Sequence, residues 1–359
     1  LGDVYKRQLD EKAWDAIELD SMFTFERGKE KNMASLIQGH IPLVSARKVN
    51  NGIKGFVDNP AKVIKGGNVI SLNNDGDGGA GLAYYQPVDF ALDTHVTALH
   101  PKKDVSSDAL LCMTASISKQ HAVFGHGRSI SLPRAHRIQN MLPVTDSGKP
   151  DYEYMAEYTQ QKREAMLSKY RAYVGERIAE LGDPVEIPAL DEKEWHEFPL
   201  DDIFTVGAGK RLETRNKVPG TRPFIGATDN GNGVTGFVGN DNASKDSNVL
   251  GVNYNGAPCI AFYHPYECIF TDDVKRLHLR NYEDNKFVLL FFVSVFAQQR
   301  SKYSYGYKFK EQRMLRQKLM LPVTDSGKPD YEYMEQYAKN MILRKYQQYL
   351  AFLDRSDNA

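Results

Sequence analysis

Several stretches of this chain carry side chains that could do chemistry. Asp272, Asp273 and Lys275 form the kind of carboxylate-lysine run that holds Mg²⁺ for phosphodiester cleavage. That chemistry needs a further carboxylate on an adjoining strand. None is convincing here, so the run reads as a surface strand end. Cys259, His264 and Cys268 fall close together, but zinc wants tightly paired spacing and a fourth ligand. They read as two core cysteines and a turn histidine. The run Asn74 to Gly81 is glycine-rich, yet a strand-like Leu82-Ala83-Tyr84-Tyr85 follows where a phosphate loop needs Lys-Ser/Thr and a helix. Asp75 and Asp77 would also repel phosphate. Asp58-Asn59-Pro60-Ala61 lacks the second proline and the aromatic of a base-clamping N-P-P-[YF] tetrapeptide. No G-x-S-x-G elbow or dinucleotide fingerprint is present. The sequence therefore shows no catalytic apparatus and no metal site.

What remains is local positive charge. Ser116 to Gln139 contains no Asp or Glu and carries Lys119, His126, Arg128 and Arg134. The matching stretch later in the chain carries Lys302, Lys308, Lys310 and Arg313 against one Glu311, interleaved with Tyr303, Tyr305 and Tyr307. Cations beside glycine turns and aromatics suit contacts to a phosphate backbone. The turn cations Lys29, Lys210 and Arg211 join them as candidates. A charged face is normally just solvated, but its recurrence at equivalent positions favours a nucleic-acid partner.

Polar loop residues add a second signal. Ser45 to Asn50, with Arg47, Lys48 and Asn50, faces Gly226 to Asn230, with Thr228 and Asn230, across the two halves. Asn73 and Asn74 face Asn253, Tyr254 and Asn255. Asn, Arg and Lys pair bidentately with base edges in the major groove. A common scaffold with different side chains at its tips is how one chain would read two different short sequences.

The elements that must position these residues are duplicated. Met141 to Met155 and Met320 to Met334 both read MLPVTDSGKPDYEYM, an offset of 179 residues (320 − 141). Such identity marks two copies of one module. The register extends outward: Trp14 pairs with Trp195, Phe23 with Phe204, and Ile41–Val57 with Arg222–Val238 as strand, Asn/Gly turn, strand. A helical stretch, Asp108 to Ala122 or Asn285 to Ser301, precedes each connector. After it, Asp151 caps a helix that Gly182-Asp183-Pro184 stops, and Asp330 caps the second. Each helix shows an apolar stripe that needs a partner. The economical solution is mutual packing as a coiled-coil-like pair; the alternative is packing back on the parent module. Met155, Met166, Tyr170, Tyr173, Met334, Met341 and Tyr349, on these stripes, are candidates for a subunit interface.

This gives an α+β chain: a first recognition domain over 1–150, a spacer helix over 151–182, a linker over 183–190, a second domain over 191–329 and a second helix over 330–359. At 41% hydrophobic and 26% charged residues the composition is globular. A formal net charge of +0 means that any anion-binding surface is local. Three cysteines suit a reducing cytoplasm better than a disulfide framework. The longest apolar run, Phe287 to Ala297, is too short to span a bilayer. The opening LGDVYKRQ has no counterpart in the repeat and is set aside.

With these residues in place, the chain resembles the DNA specificity (S) subunits of type I and related restriction-modification systems. The resemblance rests on Gly28-Lys29-Glu30 and Gly209-Lys210-Arg211, on the hairpins Ile41–Val57 and Arg222–Val238, and on the L-P-V connector with its helix. Leu250 to Tyr254, Phe262-Tyr263-His264-Pro265 and Tyr303 to Phe309 add to it, and it runs from about residue 9 to the end. It implies two tandem target-recognition domains, each reading half of a bipartite double-stranded DNA site, with an antiparallel helical spacer setting their separation. It implies no catalysis and no cofactor in this chain; S-adenosylmethionine, Mg²⁺ and ATP belong to partner methyltransferase and endonuclease/translocase subunits. Short helices leave room for a compact relative that serves a fused nuclease-methyltransferase. A stand-alone DNA-binding regulator, or a nuclease using Asp272, Asp273 and Lys275, are the competing readings.

Overall fold

The computed structural model describes residues 9–30, 35–75, 79–124, 128–303 and 309–356. The chain divides into two compact units, Leu1–Tyr170 and Arg171–Ala359. The division falls inside the helix that follows the first connector.

In the first unit, β1 (Trp14–Glu18) pairs antiparallel with β9 (Gln139–Pro143), so the strand that opens the unit lies beside the one that enters the connector. A four-stranded sheet has the order β2 (Phe23–Arg27), β8 (Val96–Pro101), β5 (Val69–Asn73), β6 (Ala83–Gln86). A three-stranded sheet has the order β4 (Ile53–Val57), β3 (Gln38–Val44), β7 (Ala91–Leu92), with β3 and β7 parallel. The second unit repeats all three sheets. Its strands are β10 (Trp195–Pro199) with β18 (Lys318–Pro322); β11 (Phe204–Ala208), β17 (Val274–Leu279), β14 (Val249–Asn253) and β15 (Ala261–His264); and β13 (Val234–Val238), β12 (Arg222–Ile225) and β16 (Ile269–Phe270).

The repeat extends to atoms. Trp14 Nε1 donates to Leu9 O at 2.9 Å, and Trp195 Nε1 to Leu190 O at 2.8 Å. The hairpin turns need left-handed backbone, which Asn and Gly supply at low cost: Asn51 and Asn232 both have φ 53°, followed by Gly52 at 74° and Gly233 at 73°.

Helix α1 (Ser107–Ser118) is capped by Ser106, whose side chain accepts from Ala109 N. Its counterpart α2 (Lys286–Gln298) is capped by Asn285, which accepts from Phe287 N and Val288 N. α2 is nearly all apolar because it is enclosed: Phe292 and Phe296 pack on Phe204, and Phe309 and Met334 complete that core. The first core is built on Phe23, Ile70, Leu72, Leu99, Leu110 and Met113. Each such side chain contributes about 2–3 kcal/mol on burial. No described helix is long and apolar enough to cross a membrane.

The two long helices, α3 (Tyr152–Leu181) and α4 (Tyr331–Ser356), pack differently at their two ends. The first turns pack on their own unit: Met155 and Met334 are fully buried in the two cores. Further along, within the second unit, the end of α3 runs antiparallel to α4. Arg171 Nη1 meets Asp354 Oδ1 at 2.7 Å, and Asn340 exchanges hydrogen bonds with the Val185 backbone. The first turns thus pack back on their own unit, while the far end of α3 and the segment just beyond it meet α4 through these polar contacts. Of the candidate interface residues, Met155 and Met334 are corrected to core positions. Met166, Tyr173 and Tyr349 lie at the surface, 70%, 49% and 43% exposed, while Tyr170 and Met341 are half-buried.

Candidate nucleic-acid interface

Four loops meet at the end of β5. Asn73 is fully buried, and its Nδ2 donates to Arg47 O at 3.0 Å. Its backbone N–H goes to Leu82 O and its carbonyl accepts Gly81 N, closing the glycine-rich loop. Asn74 is buried too: its N–H donates to His95 O, its carbonyl accepts Ile130 N at 2.6 Å, and its side chain accepts from Thr97 Oγ1. His95 Nδ1 meets Asp75 Oδ1 at 2.7 Å. Residues around 45–50, 79–82, 94–95 and 128–131 are thus drawn together by two asparagines. Lys48, Asn50 and Arg128 lie exposed on these segments, and Arg134 is exposed just beyond the last; Arg47 is half-buried and donates to Ile53 O. Arg134 also lines a cleft of about 890 Å³, together with Lys119 and Arg137.

The second unit repeats the junction with other side chains. Asn253 is buried, and its Nδ2 donates to Thr228 O at 2.8 Å. Tyr254 N and Asn255 N donate to Asp273 O, and Asn255 Nδ2 to Asp273 Oδ1 at 2.7 Å. Thr228 Oγ1 and the Asn230 side chain share a hydrogen bond at the loop tip, and Arg300 approaches Asp229 at 3.6 Å. Lys302 and Lys310 are exposed, Arg313 half-buried, and Tyr303 buried with its hydroxyl on Gln317. Where the first unit has its open cleft, Lys318 bridges to Glu197 at 2.8 Å. The turn cations Lys29, Lys210 and Arg211 are exposed; the backbone N–H of Lys29 bonds Leu92 O and that of Lys210 bonds Phe270 O.

Three sequence readings change. Asn73, Asn74 and Asn253 are not presented to a groove: they are buried, and Asn73 Nδ2, Asn74 Oδ1 and Asn253 Nδ2 each bond a neighbouring segment, so they position loops that others occupy. Lys275 is no surface strand end. It is 6% exposed, ion-paired with Glu311 and seated over the Tyr254 ring. A lysine so engaged is not free to activate water. His264 is not in a turn but ends β15, fully buried against Phe270, and burial pushes its imidazole down to about 4. Cys259 and Cys268 are buried, their thiols pushed up to about 12 by desolvation. Among the described residues no group of three His, Cys, Asp or Glu side chains is placed to hold a metal ion. His126, Tyr305, Tyr307 and Lys308 lie outside the described residues.

The family model for the "Type I restriction modification DNA specificity domain" matches twice, over residues 11–167 and 192–350. The chain belongs to the type I restriction-modification DNA specificity family. It is a specificity subunit with two tandem recognition domains, and such subunits are non-catalytic. A relative, the "Type II restriction enzyme BgcI specificity subunit S.BcgI" of Heyndrickxia coagulans, is 36% identical over 327 residues, 90% of this chain and 93% of its own length. The solved S subunit of a type I system from M. genitalium aligns over 97% of this chain and 95% of its own, at 16% identity and a TM-score of 0.49. The HsdS subunit from Thermoanaerobacter tengcongensis aligns over 96% and 91%, at 13% identity and a TM-score of 0.31.

Proposed function

We propose that this specificity subunit reads a bipartite double-stranded DNA site, one half with each unit. One observation carries the reading. The same buried asparagine holds the same loop in both units, while the loop tips differ: Arg47-Lys48-Val49 in one, Thr228-Asp229-Asn230 in the other. A retained frame under unlike tips is what two different half-sites require. Exposed cations on the surrounding segments supply sequence-independent phosphate contacts.

Partners complete the proposal. Methyltransferase and endonuclease subunits, in one chain or two, dock on the subunit in the cytoplasm and bring S-adenosylmethionine, Mg²⁺ and ATP. The adenine to be modified is flipped into the partner's pocket. The test is methylome sequencing of cells with and without the gene. A modified bipartite motif that disappears on deletion supports the proposal. A motif that persists, or one that is continuous, overturns it.

A further inference from the structure

We infer that Asn253 is a positioning residue for target recognition, and that the second unit depends on it more heavily than the first depends on Asn73. The inference rests on reading the two units as DNA readers and names the hydrogen bond that sets one of the reading loops.

Asn253 is 1% exposed at the end of β14. Its backbone joins the 254–260 loop to the strand, through N–H to Ile260 O and carbonyl to Cys259 N. Its side chain reaches the other loop, at Thr228 O. Among the described residues this is the one donor to that carbonyl. In the first unit Arg47 O takes two donors: Asn73 Nδ2 at 3.0 Å and Tyr84 Oη at 2.9 Å. The residue matching Tyr84 is Phe262. The two rings occupy the same place against the hairpin turn. A Cβ built on Gly52 would meet Tyr84 Cδ2 at 3.3 Å, and one built on Gly233 would meet Phe262 Cδ2 at 3.2 Å. The second unit therefore keeps the ring and lacks the hydroxyl. Its loop carbonyl is held once where the first is held twice.

Thr228 is only half-buried, so water can replace a lost amide. Losing Asn253 then frees the loop locally rather than unfolding the unit. The consequence falls on discrimination between DNA sequences, because direct readout requires a side chain held in one geometry.

The test uses the full chain assembled with its methyltransferase partner, and scores methylation rates on duplexes substituted in one half-site or the other. Asn253→Leu keeps the volume and removes the donor. It should lower discrimination at one half-site roughly fivefold to tenfold, the worth of one hydrogen bond or slightly more, and leave the other half unchanged. Phe262→Tyr on that background should restore most of the loss by supplying the hydroxyl that the first unit already has. Asn73→Leu should have a smaller effect, at the opposite half-site, and Asn73→Leu with Tyr84→Phe a full one. Phe262→Tyr and Tyr84→Phe alone serve if the leucine variants misfold: the first should sharpen discrimination at its half, the second weaken it at the other. Folded variants with unchanged discrimination, equal losses at both halves, or no rescue by tyrosine would overturn the inference while leaving the DNA reading intact. A native complex with no preference at either half would instead sink the DNA reading, and the inference with it.

Discussion

Lys12 Nζ donates to Asp151 Oδ2 at 2.6 Å, across 139 residues of chain, and Lys193 repeats the bond to Asp330 at 2.7 Å. Each lysine also sits over a tyrosine one turn into the long helix, Tyr154 or Tyr333. The other oxygen of each carboxylate caps that helix, accepting from Tyr154 N or Tyr333 N. One aspartate thus closes the unit and starts the helix. The pair ties the segment that enters a unit to the connector that leaves it, and the connector is the part repeated without change.

Asp151→Ala removes the cap and the ion pair together and should cost about 1–2 kcal/mol. The Lys12 hydrogen bond, helped by Tyr154 N, holds the Asp151 carboxyl below the usual carboxylate range, with partial burial opposing. Its folded pKa is depressed, so its contribution is present above the unfolded value, about 4, and is lost as pH falls through the lower folded value. Urea denaturation of the full chain from pH 7 to pH 3 checks this: the native protein should lose stability on the acid limb, and the alanine variant should lose less. Parallel curves would refute the assignment.

Gly28 and Gly209 are required by close approach, not by turn geometry. A Cβ on Gly28 would lie 1.8 Å from Asp93 O, and one on Gly209 1.9 Å from Thr271 O. Both neighbours are backbone, which cannot swing aside. Alanine at either position should destabilise its unit by about 3 kcal/mol, at the upper end of overpacking costs. Thermal unfolding of the full chain measures it; a shift no larger than that of a surface alanine substitution would show that the loops yield.

The doubled module, the hairpins around Asn51 and Asn232 and the aspartate caps of the two long helices were legible in the sequence, because a repeat compared with itself separates what the frame needs from what it tolerates. The roles of Asn73 and Asn253 were not. An asparagine that faces solvent and one that holds a loop carbonyl are the same letter, and their partners, Arg47 and Thr228, lie some 25 residues away. The helix stripes misled in a related way. Apolar spacing says that a face is covered but not by what, and Met155 and Met334 are covered by their own units. Lys275 has the sequence setting of half a metal site, but its partner is Glu311, 36 residues downstream.

Exposed Lys310 and half-buried Arg313 belong to the basic stretch of the second unit and are expected to touch phosphates rather than bases. Replacing both with alanine should weaken binding of the assembled complex evenly across DNA sequences. It should also flatten the slope of log K against log salt by about two, near one for each phosphate no longer neutralised. Binding isotherms at several salt concentrations on cognate and unrelated duplexes give both quantities. An unchanged slope would remove these residues from the interface; a loss confined to the cognate duplex would move them to the base edges.

The long helices offer the last test, because they are the elements that could set the length of an unread spacer. In the second unit the register of α4 against α3 and the segment just beyond it is held by Arg171–Asp354 and Asn340–Val185. One heptad inserted into α3 alone breaks that register and should abolish assembly. One heptad inserted into both helices preserves the facing stripes, since seven residues bring the same face round again. Each insertion lengthens a helix by about 10 Å at 1.5 Å per residue, which on DNA is close to three base pairs. The doubled insertion should then yield a motif with both half-sites intact and a spacer about three base pairs longer, read directly by methylome sequencing. The same motif with its original spacer would mean that the separation is set elsewhere in the complex.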